Sequence, residues 1–365
     1  MDLIYENSGA GKVVAARHVN IEKPFPDVNS AVNSTFLCYS YSLQPDFDSY
    51  FTALHNYAWA LWTYGAVVLA AVCVLYVISI KSAIRHWRDS FTNVATVLAV
   101  YPIVAAAAFL AIVLPRFRII SEAIAQEAVM IAMYHLFCLM VAECGGADQL
   151  IRCTPDIRLE TRVLPCCCWP CCAIPRPKLQ KRNLSWVRYV VLQMPIVQAF
   201  IYVILLALWA EDMMLYHRKF VYLQPFVATS ILTGVWGMVM CVRLTESAGH
   251  KPKPRFLVLQ LALIIVKLQC GFAKILPEIV NLRCVTSLHP SVFVNMIQYS
   301  IMMLEMLLLS IWAWRLYRLP PGKDVDKVPR VMVAVLDDSV KSIEVKTSSG
   351  GVENKSYSKT EERLL

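Results

Sequence analysis

Seven stretches of the chain are long and apolar, and polar residues gather between them. They cover residues 57–80, 91–114, 119–142, 186–209, 220–242, 256–276 and 290–314. A helix needs roughly 20 mostly apolar residues to cross a hydrocarbon core of about 30 Å. Each stretch is long enough, so the pattern predicts an all-α integral membrane protein with seven transmembrane helices. Gln, Lys and Thr interrupt the fifth and sixth more than the others. A single weak stretch is compatible with a buried soluble helix, but seven in series are not.

Composition agrees with this pattern. Apolar residues of the AVILMFWYC class make up 58% of the 365 residues and charged ones 17%. Soluble domains hold about 45–50% apolar residues, Gly included, and about 25% charged. A chain with so few charges cannot cover a water-facing surface of this size. Met1 to Lys12 contain no apolar run, so the first span is expected to act as its own targeting signal rather than follow a cleavable one.

The basic residues set an orientation. Lys and Arg collect in short cytoplasmic loops. One set of alternate loops carries fourteen of them, among them Lys81, Arg85, Arg88, Arg152, Lys181, Lys253 and Arg255. The other set carries five: Arg116, Arg118, Arg218, Lys219 and Arg283. The bias predicts an N-terminus outside and a C-terminus in the cytoplasm. It also accounts for the net charge of +9 without nucleic-acid binding, the other reading of a basic chain. Asn33-Ser34-Thr35 lies in the outer segment and is a glycosylation candidate at Asn33. Two further sequons, at Asn183 and Asn354, fall inside and are expected to stay bare.

The domain organisation follows: residues 1–56 are an extracellular segment, 57–318 the seven-helix domain, and 319–365 a cytoplasmic tail. Pro320-Pro321-Gly322 ends the last helix. The Ser-, Lys- and Glu-rich end of the tail reads as disordered. No internal repeat suggests the paired halves of many transporters.

A cytoplasmic loop, 144–185, holds Cys166, Cys167, Cys168, Cys171 and Cys172 around Trp169-Pro170. Disulfides are disfavoured in a reducing compartment. Zinc would need a second C-x-x-C pair, which the chain lacks. S-acylation fits better, because cytosolic cysteines beside a membrane are acylation targets. Several acyl chains would hold the loop on the inner leaflet, each buried CH₂ adding roughly 0.8 kcal/mol. Free thiols at the interface are the alternative.

The same residues carry a family resemblance. Leu139-Met140-Val141, Gly145-Gly146 and the Cys-Cys-Cys-Trp-Pro-Cys-Cys cluster resemble the alpha subunit of the organic solute transporter, the OST-alpha family. So, in order, do Leu114-Pro115-Arg116 with Glu122, Ser230 with Trp236, Phe256 with Gln260, Leu268-Gln269, and Leu304-Glu305 with Tyr317-Arg318. The resemblance spans roughly residues 95–318. It departs at Trp169 inside the cysteines, at Cys270 after Gln269, and in a longer tail. It implies facilitated, sodium-independent movement of bile-acid-like and steroid-conjugate anions. It also implies a heteromer with a single-span beta subunit in the cell membrane, with endomembranes as a further location. No cofactor is implied.

Ionisable residues inside spans are expensive and face a bundle interior or a wet cavity. The third span carries Glu122, Gln126, Glu127 and His135. The sixth carries Gln260, Lys267 and Lys274, seven apart and therefore on one face. The seventh carries Asn295, Gln298 and Glu305. Glu122, Glu127, Ser230, Gln260, Lys267, Gln269 and Glu305 are thus the expected solute pathway. In it Lys267 attracts an anionic group, and Gln260 and Gln269 bond hydroxyls. Lys267 is expected to pair with Glu305 or Glu127, and the bland alternative is a clamp that only fixes packing. Gly271 is expected to admit a neighbouring helix. His135 reads as a packing histidine with a satisfied ring.

Two other classes compete. A seven-helix receptor or trafficking regulator shares the topology. The chain has no Asp-Arg-Tyr after the third span, however, and no Asn-Pro-x-x-Tyr in the seventh. A cysteine-dependent acyl transferase needs a base within hydrogen-bond reach, and His86 and His250 sit in no such motif. Neither class fits as well as a transporter subunit.

Overall fold

A computed structural model describes residues 44–153, 159–161, 177–280 and 288–318. Asn33, the tail and Cys166, Cys167, Cys168, Cys171 and Cys172 lie outside the described residues. Within them the chain is helical, with no strand. A short helix α1 (Phe47–Leu54) precedes α2 (Asn56–His86), α3 (Phe91–Val113) and α4 (Arg118–Glu143). After α5 (Ala147–Cys153) come α6 (Lys181–Glu211), α7 (Met213–Ser247), α8 (Lys253–Val280) and α9 (Pro290–Tyr317).

All helices except α1 and α5 are long and apolar enough to cross a membrane. Except for α3, which ends one residue short of it, each runs one to several residues past the apolar stretch seen in the sequence. The backbone pairs within the helix wherever the chain continues, so polar end residues extend it into the interface at little cost. Pro102, Pro195, Pro225 and Pro277 all lie inside helices. Two glycines stop α4. Gly145 and Gly146 have φ of 78° and 90°, which L side chains avoid. Their N–H groups bond the carbonyls of Ala142 and Val141 at 3.0 and 3.1 Å.

Helix α4 is the hub. It packs on α3, α6, α8 and α7, while α9 packs on α3, α2 and α8. The main core runs through α3 and α4, with Val94, Ala105, Met130, Met133, Leu136 and Leu139 buried. Close approach between α6 and α7 depends on two glycines. A Cβ on Gly234 would sit 2.1 Å from Met194 Cγ, and one on Gly237 would sit 3.0 Å from Val190 Cγ1. Helix α2 is peripheral and the least buried of the seven long helices.

The two ends of the bundle are tied differently. At one end Tyr50 Oη donates to the Ile112 carbonyl at 2.8 Å, and Arg116 donates to Asp46. These contacts dock α1 beside the end of α3. At the other end the Arg255 guanidinium pairs with Glu143 and stacks 4.5 Å from the Trp87 ring and 5.4 Å from the Tyr317 ring. One side chain there joins α8, α4, α2 and α9. At this same end Trp236 Nε1 donates to Thr161 O at 2.9 Å, and Leu159 N to Pro177 O at 3.0 Å. One flank of the cysteine-bearing segment is thereby seated on the bundle and tied to the other flank.

Candidate functional site

Helices α7 and α8 each lean on α4, and a cavity of about 210 Å³ lies between them. Its lining comes from four helices. Glu122 and Gln126 enter from α4, Gln198 and Tyr202 from α6, Phe220 and Gln224 from α7, and Lys267, Cys270, Gly271 and Lys274 from α8. The sevenfold spacing of Lys267 and Lys274 puts both ammonium groups on one stripe, about 10.5 Å apart along the axis. Glu122 and Gln126 are four apart on α4 and form the facing stripe.

A continuous polar chain joins these groups. Lys274 Nζ donates to Glu122 Oε1 at 2.8 Å, and Gln126 Nε2 donates to the same oxygen at 3.0 Å. Gln126 Oε1 in turn accepts from Lys267, which also donates to Gln198 Oε1 at 3.1 Å. Gln126, Glu122 and Gln198 are 3–5% exposed. The carboxylate neutralises Lys274. Among the described residues Lys267 donates only to amide oxygens, which accept its hydrogen bonds and leave its charge. One carboxylate therefore faces two ammonium groups, and the lining keeps one net positive charge. An isolated buried cation is costly, and an anion entering the cavity would relieve that cost.

The expected partners of Lys267 are not the observed ones. Glu127 follows Gln126 by one residue, a rotation of about 100°, and opens on a different space. That space is a groove of about 430 Å³ between α3, α4 and α6, lined by Val100, Ile103, Ile124, Ile131 and Ala199. Tyr202 lines both the groove and the cavity. Glu305 accepts from Gln269 Nε2, which lies two residues and about 200° round α8 from Lys267. Ser230 is buried on α7 and Gln260 half-buried on α8, both away from the cavity; among the described residues Ser230 Oγ and Gln260 Oε1 have no hydrogen-bond partner. Of the seven sequence candidates, the cavity gathers Glu122 and Lys267, the groove takes Glu127, and the others stand apart.

Gly271 also differs from expectation. A Cβ there meets nothing within 4 Å, so the glycine opens onto the cavity and no helix approaches it. His135 shares a 2.9 Å contact with Asn93 Oδ1, as a packing histidine should. Sequence reasoning overlooked Gln198 and Gln224. The available signal was a polar side chain inside an otherwise apolar span.

Comparison with known proteins bears on the same region. The family model described as organic solute transporter Ostalpha matches residues 61–322. An organic solute transporter alpha-like protein of Drosophila melanogaster is 25% identical over 233 residues, covering 63% of this chain and 71% of its own. The organic solute transporter subunit alpha of Danio rerio is 21% identical over 248 residues, covering 65% and 76%. An alpha-like protein 2 of Caenorhabditis elegans is 25% identical over 200 residues, covering 53% and 57%. No solved structure matches the chain. The family match takes in all seven long helices, and the chain belongs to the organic solute transporter Ostalpha family, a multi-pass membrane transporter subunit and not a member of an enzyme class.

Proposed function

We propose that this subunit moves amphipathic organic anions, of the bile-acid or steroid-conjugate class, across the cell membrane, with the anionic group held at Lys267. The observation that carries the proposal is the Lys267 ammonium, which is met by two amide oxygens and no carboxylate. Pockets for whole drug-sized ligands measure about 300–1,000 Å³. The cavity, at about 210 Å³, is sized for the charged end of such a solute. The apolar groove beyond Tyr202 offers about 430 Å³ for its ring system, with the Glu127 carboxylate available to accept from a hydroxyl.

A partner subunit belongs to this reading. The Danio rerio relative is named as a subunit, and the family resemblance implies a single-span beta subunit. Helix α2, with Tyr57, Val67, Val74 and Val77 exposed, provides a face for such a helix or for lipid.

The test is uptake of labelled taurocholate or estrone sulfate, with and without a candidate beta subunit, at equal surface level. A hydrogen bond to a charged group contributes about 1.5–3 kcal/mol, or about 10- to 150-fold in affinity. Lys267→Met should weaken apparent affinity by that factor, and Lys267→Arg should retain most of it. Unchanged affinity in Lys267→Met would sink the assignment.

A further inference from the structure

A second pocket lies at the Arg255 end of the bundle, outside the proposed solute path. Helices α2 and α9 pack together there, and a space of about 430 Å³ opens between their last turns. On α2 its lining is Ile78, Lys81, Ser82 and Arg85, which recur at helical spacing on one face. His86 completes that side. Helix α9 supplies Trp314 and Arg318, one turn apart, with the guanidinium 5.6 Å from the indole ring.

The lining holds no acidic residue. Lys81, Arg85, His86 and Arg318 form no ion pair among the described residues. The contrast with the rest of this end is informative. Arg255, Lys253 and Lys181 all pair there with carboxylates, Glu143, Glu246 and Asp148. Three cations and an imidazole line one space with no carboxylate among the described residues to neutralise them, which is the arrangement that binds a phosphate.

The setting selects the source of that phosphate. The pocket lies where the apolar part of α2 ends. Val74, Val77 and Ile78, directly above it along α2, are exposed, so they present an acyl-chain track that leads to the cations. Trp314 beside Arg318 is the residue type that sits at the headgroup level of a bilayer. Basic pockets between transmembrane helices on the cytoplasmic side take anionic headgroups, and the loop-charge bias assigns this end to the cytoplasm. We propose that the Lys81–Arg85–His86–Arg318 pocket between α2 and α9 is a binding site for the phosphorylated headgroup of an anionic phospholipid in that leaflet. A lipid there would bridge the peripheral helix α2 to α9.

The experiment uses the full chain purified in detergent. Its probes are a fluorescent short-chain phosphatidylinositol bisphosphate, the matching water-soluble inositol phosphate and inorganic phosphate. The lipid should bind saturably and the two soluble probes far more weakly, because they lack the acyl chains. Each basic residue near a membrane surface contributes about fivefold to anionic-lipid affinity. Arg85→Gln with Arg318→Gln should therefore bind about 30-fold more weakly, and Lys81→Gln about fivefold more weakly. Lys181→Gln, at the same end but paired with Asp148 and outside the pocket, should bind as the parent does. All four side chains are exposed, and equal thermal unfolding of the lipid-free variants confirms intact folding; if the double variant unfolds early, Lys81→Gln decides. Lipid binding unchanged in these variants would overturn the proposal. So would equal affinity for the soluble inositol phosphate, which would make this a soluble-phosphate site.

Discussion

Replacing Glu122 by Gln removes the one carboxylate of the cavity while keeping its volume. The Lys274–Glu122 pair spans 2.8 Å, and its side chains are 22% and 7% exposed. At an effective dielectric of about 20, the attraction at that separation is roughly 6 kcal/mol, and the desolvation of both ions offsets part of it. Removing one partner of a buried pair costs about 3–5 kcal/mol, since the other ion stays buried alone. Lys274 keeps some relief, because its ammonium lies 4.0 Å from the Phe220 ring centre and is partly exposed. The expected loss is therefore at the lower end, about 3 kcal/mol, or about 6–12 °C in Tm for a domain of this size. The assay is thermal unfolding of the purified protein in lipid nanodiscs. Glu122→Gln combined with Lys274→Met should recover most of the loss, because no lone ion remains. The single variant should also bind the anionic solute more tightly, since the lining goes from one net positive charge to two. General damage would move affinity the other way. A single variant within about 2 °C of the parent, or a double variant no more stable than the single one, would refute the reasoning.

Two further outcomes follow from packing and from burial. Gly271→Leu should leave Tm nearly unchanged, because its Cβ meets nothing within 4 Å, yet abolish uptake by filling the cavity. Gly237→Leu should cost about 1–3 kcal/mol of stability, because its Cβ meets the stiff side chains of Val190 and Val191; the reverse ranking in a thermal assay would contradict the helix packing described. Burial pushes the Tyr50 phenol from 10 up to about 12. A raised pKa means that the docked form holds the proton more tightly than the undocked form. Docking of α1 is thus at full strength below about pH 10 and weakens as pH rises towards 12. Fluorescence of Trp59 and Trp62, whose rings meet Phe51 of α1 edge-on and tilted at 6.0 and 5.6 Å between ring centres, should report this step. Tyr50→Phe should lack it, and a step that persists in that variant would point to another group.

The sequence by itself determined the seven spans, the family and the list of polar side chains inside the spans. Crossing a bilayer demands a long apolar run for every helix, and that demand is written locally in each segment. The fifth and sixth spans, interrupted by Gln, Lys and Thr, form continuous helices like the rest, because Gln224, Lys267 and Lys274 face the cavity and Thr229 and Thr233 donate back to carbonyls of their own helix at 2.8 and 2.7 Å. Gly145-Gly146, noticed only as part of a motif, proved to be the stop that ends α4. The third-span carboxylates and the sixth-span lysines were legible as buried charge.

Only the tertiary structure decided which of them meet. Glu127 and Gln126 are adjacent in sequence, but a rotation of about 100° sends one into the apolar groove and the other to Lys267. Glu305 lies on α9, which reaches α8 on the Gln269 side, so it cannot serve Lys267. Gln198 comes from α6, a helix that no local pattern links to α8. Gly271 looked like a helix-contact glycine and instead opens the cavity, because α7 and α8 lean on α4 rather than on each other. Depth along a span can be counted from residue number. Rotation and the choice of neighbour arise only when seven helices pack at once, and these decide which cation is left without an anion.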